Sequence, residues 1–110
     1  MSLIINIKYN GENRMVEKFA KEMIESGTVD EIRKESGNIS YEYYISLENP
    51  NCLLLIDRWK DQESLDKHHA SPMMKTIKNL RDKYDLHMTV ERFVEDRSDL
   101  GKGDGKFIRK

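Results

Sequence analysis

Hydrophobic positions along this chain change period several times, and each change marks an element. In "LIINIKY", residues 3–9, Leu3, Ile5, Ile7 and Tyr9 fall on one side and Ile4, Asn6 and Lys8 on the other. That two-residue period predicts a strand with one strongly apolar face. "NG" at 10 and 11 breaks it. From Glu12 the spacing turns helical, with Met15, Phe19 and Met23 recurring every fourth position and Val16, Ala20 and Ile24 beside them. Gly27 suits the position just past a helix end. Thr28 with Glu31 has capping-box spacing and predicts a short second helix that ends near Gly37.

Residues 38–47, "NISYEYYISL", alternate again. Ile39, Tyr41, Tyr43, Ile45 and Leu47 share one face, and Ser40, Glu42, Tyr44 and Ser46 the other. "ENPN" is a turn, with Pro50 pre-setting φ. "CLLLIDRW", residues 52–59, follows as a third strand, apolar on both faces in its first half and therefore central in its sheet. The two strands predict a hairpin. Asp61 can cap "QESLDKHH". Ser71 can cap a further helix with Pro72 at its first position, carrying a stripe of Met73, Ile77, Leu80 and Tyr84. The last strand is "LHMTVERFV", residues 86–94, with Leu86, Met88 and Val90 on one side.

The order strand, helix, strand, strand, helix, strand is that of a ferredoxin-like, split βαβ domain of the α+β class. Its four-stranded antiparallel sheet carries helices on one face, so the other face needs a cover, and a second copy of the chain would supply one. Residues 1–95 form this domain. Residues 96–110 are rich in glycine and charge, cannot build a core, and make a flexible or partner-crossing tail.

Composition narrows the function classes. A chain of 110 residues is one domain. Its 19 basic and 20 acidic residues nearly cancel, which argues against nucleic acid or an anionic membrane as the partner. The longest apolar run, "CLLLI", is far short of the roughly 20 residues of a membrane span. The beginning of the sequence has no signal-peptide pattern, and Cys52 is the only cysteine, so a reducing, cytoplasmic setting is expected. With 37% hydrophobic and 35% charged residues, dimerisation would complete the core.

Candidate chemistry concentrates in "DRWKDQESLDKHHASPMMK", residues 57–75. His68 and His69 are neighbours about 100° apart on a helix, so one should face inward and one solvent. Trp59 is either core or a wall for a flat aromatic ligand. Asp57, on an apolar strand, needs a partner: an Arg or Lys, or His68. Tyr41 and Tyr43 could donate to a substrate oxygen or simply favour a strand. Asn6 could bind substrate or lie in a solvated face or interface. The methionines, Met73 among them, are core filler or the lining of a pocket for a planar apolar ligand. No His, Cys, Asp or Glu set has metal-ligand spacing.

In these residues the chain resembles the antibiotic biosynthesis monooxygenase family of small dimeric α+β barrel proteins. The resemblance rests on the element order, on the tyrosine-rich "GNISYEYYISLENPN", and on the stretch just quoted. There Asp57, Trp59, His68 and Ser71-Pro72 occupy the family's acidic residue, tryptophan, helix-end histidine and Ser-Pro step. It covers about residues 3–95. It implies a homodimer, a pocket between sheet and helices, and oxidation of a small quinol or polyphenol by O₂ without metal, flavin or haem. His68 would be the base that takes a phenolic proton; otherwise it is a helix-end histidine favoured by the dipole. Trp59, Tyr43, Asn6, Asp57 and Met73 would shape the site. Met73 or Met74 stands where many relatives carry a second histidine, which puts a two-histidine mechanism in doubt, and the haem-degrading branch's pattern is missing. An isomerase or other small-molecule enzyme on the same fold, or a non-catalytic ligand-binding dimer, is the alternative.

Overall fold

The alternation of residues 3–9 becomes β1 (Leu3–Asn10), and the helical spacing after it becomes α1 (Met15–Glu25) and α2 (Thr28–Arg33). The hairpin is β2 (Asn38–Ile45) and β3 (Cys52–Trp59). Then come α3 (Gln62–His69), α4 (Met73–Lys83) and β4 (His87–Val94). The structure is a computed structural model, and it describes residues 2–98 and 103–109. The sheet order is β2-β3-β1-β4 with every pair antiparallel, the ferredoxin-like split βαβ arrangement.

Because the strands are in register, one face of the sheet is read as rows. Tyr41, Asp57, Ile5 and Arg92 form one row. Tyr43, Leu55, Ile7 and Val90 form the next, and Ile45, Leu53, Tyr9 and Met88 the one after. The helices cover this face over β1, β2 and β3. Val16, Phe19 and Met23 of α1, Val29 and Ile32 of α2, and Leu53 and Leu55 of β3 are buried there. β4 is different: it is exposed along its whole length, so the helix layer stops short of it. Among the described residues nothing covers the opposite face of the sheet. Tyr44 is 52% and Phe93 45% exposed there, beside half-buried Ile4, Leu54 and Ile56.

Several local expectations change. Ile39 leaves the Tyr41 face because a bulge between Asn38 and Ser40 turns it out to 53% exposure. Leu47 lies beyond the end of β2 and is exposed. Asn13 and Arg14 sit at φ 52° and 58°, so α1 starts at Met15 rather than Glu12. Thr28 does not cap α2: Gly27, at φ 83°, holds that place, and the Thr28 hydroxyl bonds Ser26 instead. Ser71 makes no cap bond either, and its hydroxyl is buried without a partner among the described residues. Of the expected tail, residues 99–102 and 110 lie outside the described residues; Asp104–Phe107 form a single 3-10 turn. No helix among the described residues is long and apolar enough to cross a membrane.

Candidate active site

α3 begins with a working cap. The Asp61 carboxylate accepts from the Ser64 backbone N–H at 2.9 Å and from its hydroxyl at 2.7 Å. That start puts Leu65 and His68, three residues apart, on the buried side of the helix. His68 is 4% exposed and stacks on Trp59, with ring centroids 4.7 Å apart. Its Nδ1 lies 2.7 Å from Glu35 Oε2. Glu35 reaches it because the chain after α2 presses against α3. Gly37 has φ 85°, and a Cβ there would stand 2.0 Å from Ser64 Oγ, so only glycine fits this approach.

Burial lowers the His68 pKa below its ordinary 6.5, and the Glu35 carboxylate opposes that shift. The imidazole is therefore neutral at neutral pH. A carboxylate only accepts, so Nδ1 carries the proton and donates it to Glu35. Nε2 then keeps a lone pair and has no hydrogen-bond partner among the described residues. This is the arrangement of a base held by an orienting carboxylate.

Asp57 lies on the same side of the sheet and is 3% exposed. Its Oδ2 accepts from Trp59 Nε1 at 2.7 Å, two residues along the same face of β3. Its Oδ1 is buried and has no partner among the described residues. Burial raises its pKa from 3.8 to about 6, against the lowering effect of the indole N–H.

His68 and Asp57 both open onto a cavity of about 250 Å³ between the sheet and the last two helices. Ile5, Ile7 and Val90 form its floor, and Met74, Ile77 and Arg81 of α4 its wall. Tyr9 and Tyr41 contribute to the lining, and Arg92 enters from β4. Burial holds both tyrosine hydroxyls in the neutral, donor form, pushing Tyr9 up to about 12 and Tyr41 well above its usual range. His69 is exposed yet lies on the cavity rim, so the two adjacent histidines both reach it.

The residues singled out from sequence do not all meet here. Trp59 is 0% exposed and sits behind His68, as core rather than wall. Asp57 pairs with the Trp59 indole rather than with a cation or His68. Tyr43 packs edge-on against Tyr41, which takes the lining position instead. Asn6 points to the other face of the sheet because it alternates with Ile5 and Ile7. Met73 packs on the core, and Met74, one helical step round, lines the cavity. Glu35, Tyr9, Arg81 and Arg92 were missed. Arg81 follows Met74 and Ile77 at helical spacing, and Arg92 alternates with Met88 and Val90, so both were in reach of the pattern. Glu35 gives no local signal, since the loop that brings it in is tertiary. Among the described residues no group of three His, Cys, Asp or Glu side chains is placed to hold a metal ion.

Comparison with known proteins adds the family. Solved structures share the fold. A conserved protein from Methanosarcina mazei Go1 is 29% identical, with a TM-score of 0.75 over 87% of this chain and 94% of that one. SnoaB, a cofactor-independent oxygenase from Streptomyces nogalater, is 10% identical, with a TM-score of 0.72 over 88% of this chain and 95% of that one. PA3566 from Pseudomonas aeruginosa is 15% identical, with a TM-score of 0.72 over 86% and 93%. No curated protein matches by sequence. The family model described as antibiotic biosynthesis monooxygenase matches residues 2–80, most of the chain. The chain belongs to the antibiotic biosynthesis monooxygenase family, a fold family that includes cofactor-independent oxygenases.

Proposed function

We propose that the protein is a monooxygenase that oxidises a small hydroxylated aromatic, of the quinol or polyphenol kind, with O₂ and without metal, flavin or haem. One observation carries this reading: a buried, neutral imidazole, tied through Nδ1 to Glu35 at 2.7 Å, stands at the wall of a largely apolar cavity of about 250 Å³. The cavity's floor suits a planar ring. His68 Nε2 accepts the phenolic proton, and the electron-rich anion gives an electron to O₂. Recombination forms a C–O bond, and loss of water leaves one oxygen atom in a hydroxyquinone. The ring itself supplies the electrons, the part a redox cofactor plays elsewhere. SnoaB, similar in fold, is a cofactor-independent oxygenase, which supports the same reading here.

The test is oxygen uptake by metal-stripped protein supplied with a reduced naphthoquinone, corrected for autoxidation. Saturable uptake that His68→Ala removes is the expected result. Uptake no faster than the blank would sink the oxygenase reading. Weight would then pass to an isomerase or other proton-transfer enzyme built on the same base, which Arg81 and Arg92 in the cavity favour through their fit to an anionic substrate.

The working unit on this reading is a homodimer, joined through the uncovered sheet face. Ile4, Leu54, Ile56, Tyr44 and Phe93 give that face its apolar character. Light scattering behind size exclusion should give twice the chain mass for the native protein and one chain mass for Ile56→Lys. A native monomer at micromolar concentration would remove the dimer.

A further inference from the structure

The cavity is long as well as apolar. From the Ile5 row, beside Asp57 and His68, to the Tyr9 row is roughly 13 Å of strand. Arg81 lies at the Tyr9 end, where its Nη1 reaches Met88 Sδ at 3.6 Å. That thioether is its only hydrogen-bond acceptor among the described residues, and a weak one for a half-buried group with five N–H donors. No ion pair among the described residues includes Arg81. Arg92 differs, because its Nη2 donates to Gln62 Oε1.

Charge in the cavity is also unbalanced. Two guanidiniums line it against a single carboxylate, Asp57, which burial drives toward its neutral acid. A neutral quinol would leave that excess positive charge unmatched and the Arg81 donors unsatisfied. A carboxylate takes up both, since its two oxygens match the guanidinium fork.

We propose that Arg81 binds a carboxylate on the substrate, so that the cavity selects a hydroxylated aromatic acid over a neutral phenol. The inference rests on the proposed function for one point, that the hydroxyl lies at the His68 end and the acid at the other. Ile7, midway along the floor, carries the ring between them.

Calorimetric binding of two naphthalenes separates the possibilities without turnover. One is 2-naphthol; the other is 6-hydroxy-2-naphthoate, whose hydroxyl and carboxylate stand on opposite rings. The native protein should hold the naphthoate at least about tenfold more tightly, as one charge-assisted pair implies. Arg81→Gln should remove that advantage by weakening the naphthoate far more than 2-naphthol, and Arg81→Lys should restore part of it. Equal affinities in the native protein, no binding of the naphthoate, or an advantage that survives Arg81→Gln and vanishes in Arg92→Gln would each overturn the assignment. Neither probe is a quinol, so a protein inactive in oxygen uptake that still shows the Arg81-dependent advantage would lose the oxygenase reading and keep this one.

Discussion

The two ends of the cavity are built on opposite rules. At the His68 end the polar side chains are buried and each has at least one specific partner. His68 Nδ1 has Glu35, Asp57 Oδ2 has the Trp59 indole, and the rings of Trp59 and His68 stack. At the Arg81 end a half-buried cation has only a thioether among the described residues. Burying a polar group without a partner costs roughly 2–7 kcal/mol by transfer measures, so a dry site tolerates few leftover atoms. Those left over at the first end, His68 Nε2 and Asp57 Oδ1, are for that reason informative: both belong to residues that line a space a ligand can fill. At the wetter end the signal is an excess of charge. Function is read from leftovers in one region and from imbalance in the other.

The largest expected effect breaks the first end outright. His68→Ala removes the base and leaves the Glu35 carboxylate, mostly buried, without its partner. The rate of oxygen uptake at low substrate should fall on the order of 10²–10⁴-fold. Because Ala also opens a gap beside Trp59, His68→Gln is the cleaner companion. Its amide can still donate to Glu35, yet it has no basic nitrogen. A His68→Gln protein with native melting and native turnover would exclude the imidazole as base.

The difference between the ends also explains how much was visible beforehand. Alternation and helical spacing gave the element order, the central position of β3 and the Asp61 cap, because each depends on residues close in sequence. The helical period said that one of His68 and His69 should face inward without saying which; the structure turns His68 in, on the face it shares with Leu65. What escaped depends on tertiary approach or on single-residue phase. Glu35 is 33 residues from His68, and only the Gly37 turn shows how it arrives. A bulge of one residue moved Ile39 to solvent, and one helical step separates Met73 in the core from Met74 at the cavity. The N-cap expectations at Thr28 and Ser71 failed because side-chain oxygens near a helix start can bond elsewhere or not at all. Arg81 and Arg92 went unremarked although each continues an apolar series, because nothing in the sequence says that the helix layer ends before β4.

Asp57 tests whether the paired end is held against a standing cost. Its folded-state pKa is raised from 3.8 to about 6, so its contribution is most favourable below 3.8 and is lost as pH climbs through about 6. Above that window the ionised form costs roughly 3 kcal/mol relative to the neutral acid. Asn stays neutral, and its amide oxygen can still accept from Trp59. Asp57→Asn should therefore be more resistant to denaturant than the native protein at pH values above about 6. The advantage should shrink toward zero as pH falls to 3.8. Urea melts at several pH values give the comparison, and two curves that run parallel across the window would mean that Asp57 ionises as an ordinary carboxyl.

The smallest effect sharpens the contrast most. Glu35 acts on the reaction only through His68, so it is a positioning residue, and removing its charge should change the base without removing it. Gln at position 35 keeps the size and an oxygen to accept from Nδ1. It lacks the negative charge that opposes burial in setting the His68 pKa. With that opposition gone, the pKa falls further below 6.5. The base is active when neutral, so the acid limb of the kcat/KM profile should move to lower pH. A less basic nitrogen is also a weaker proton acceptor, and the plateau should drop by on the order of tenfold. A role confined to packing would lower the plateau and leave the limb where it is. The two readouts together therefore distinguish a carboxylate that tunes the imidazole from one that merely fills the space between α2 and α3.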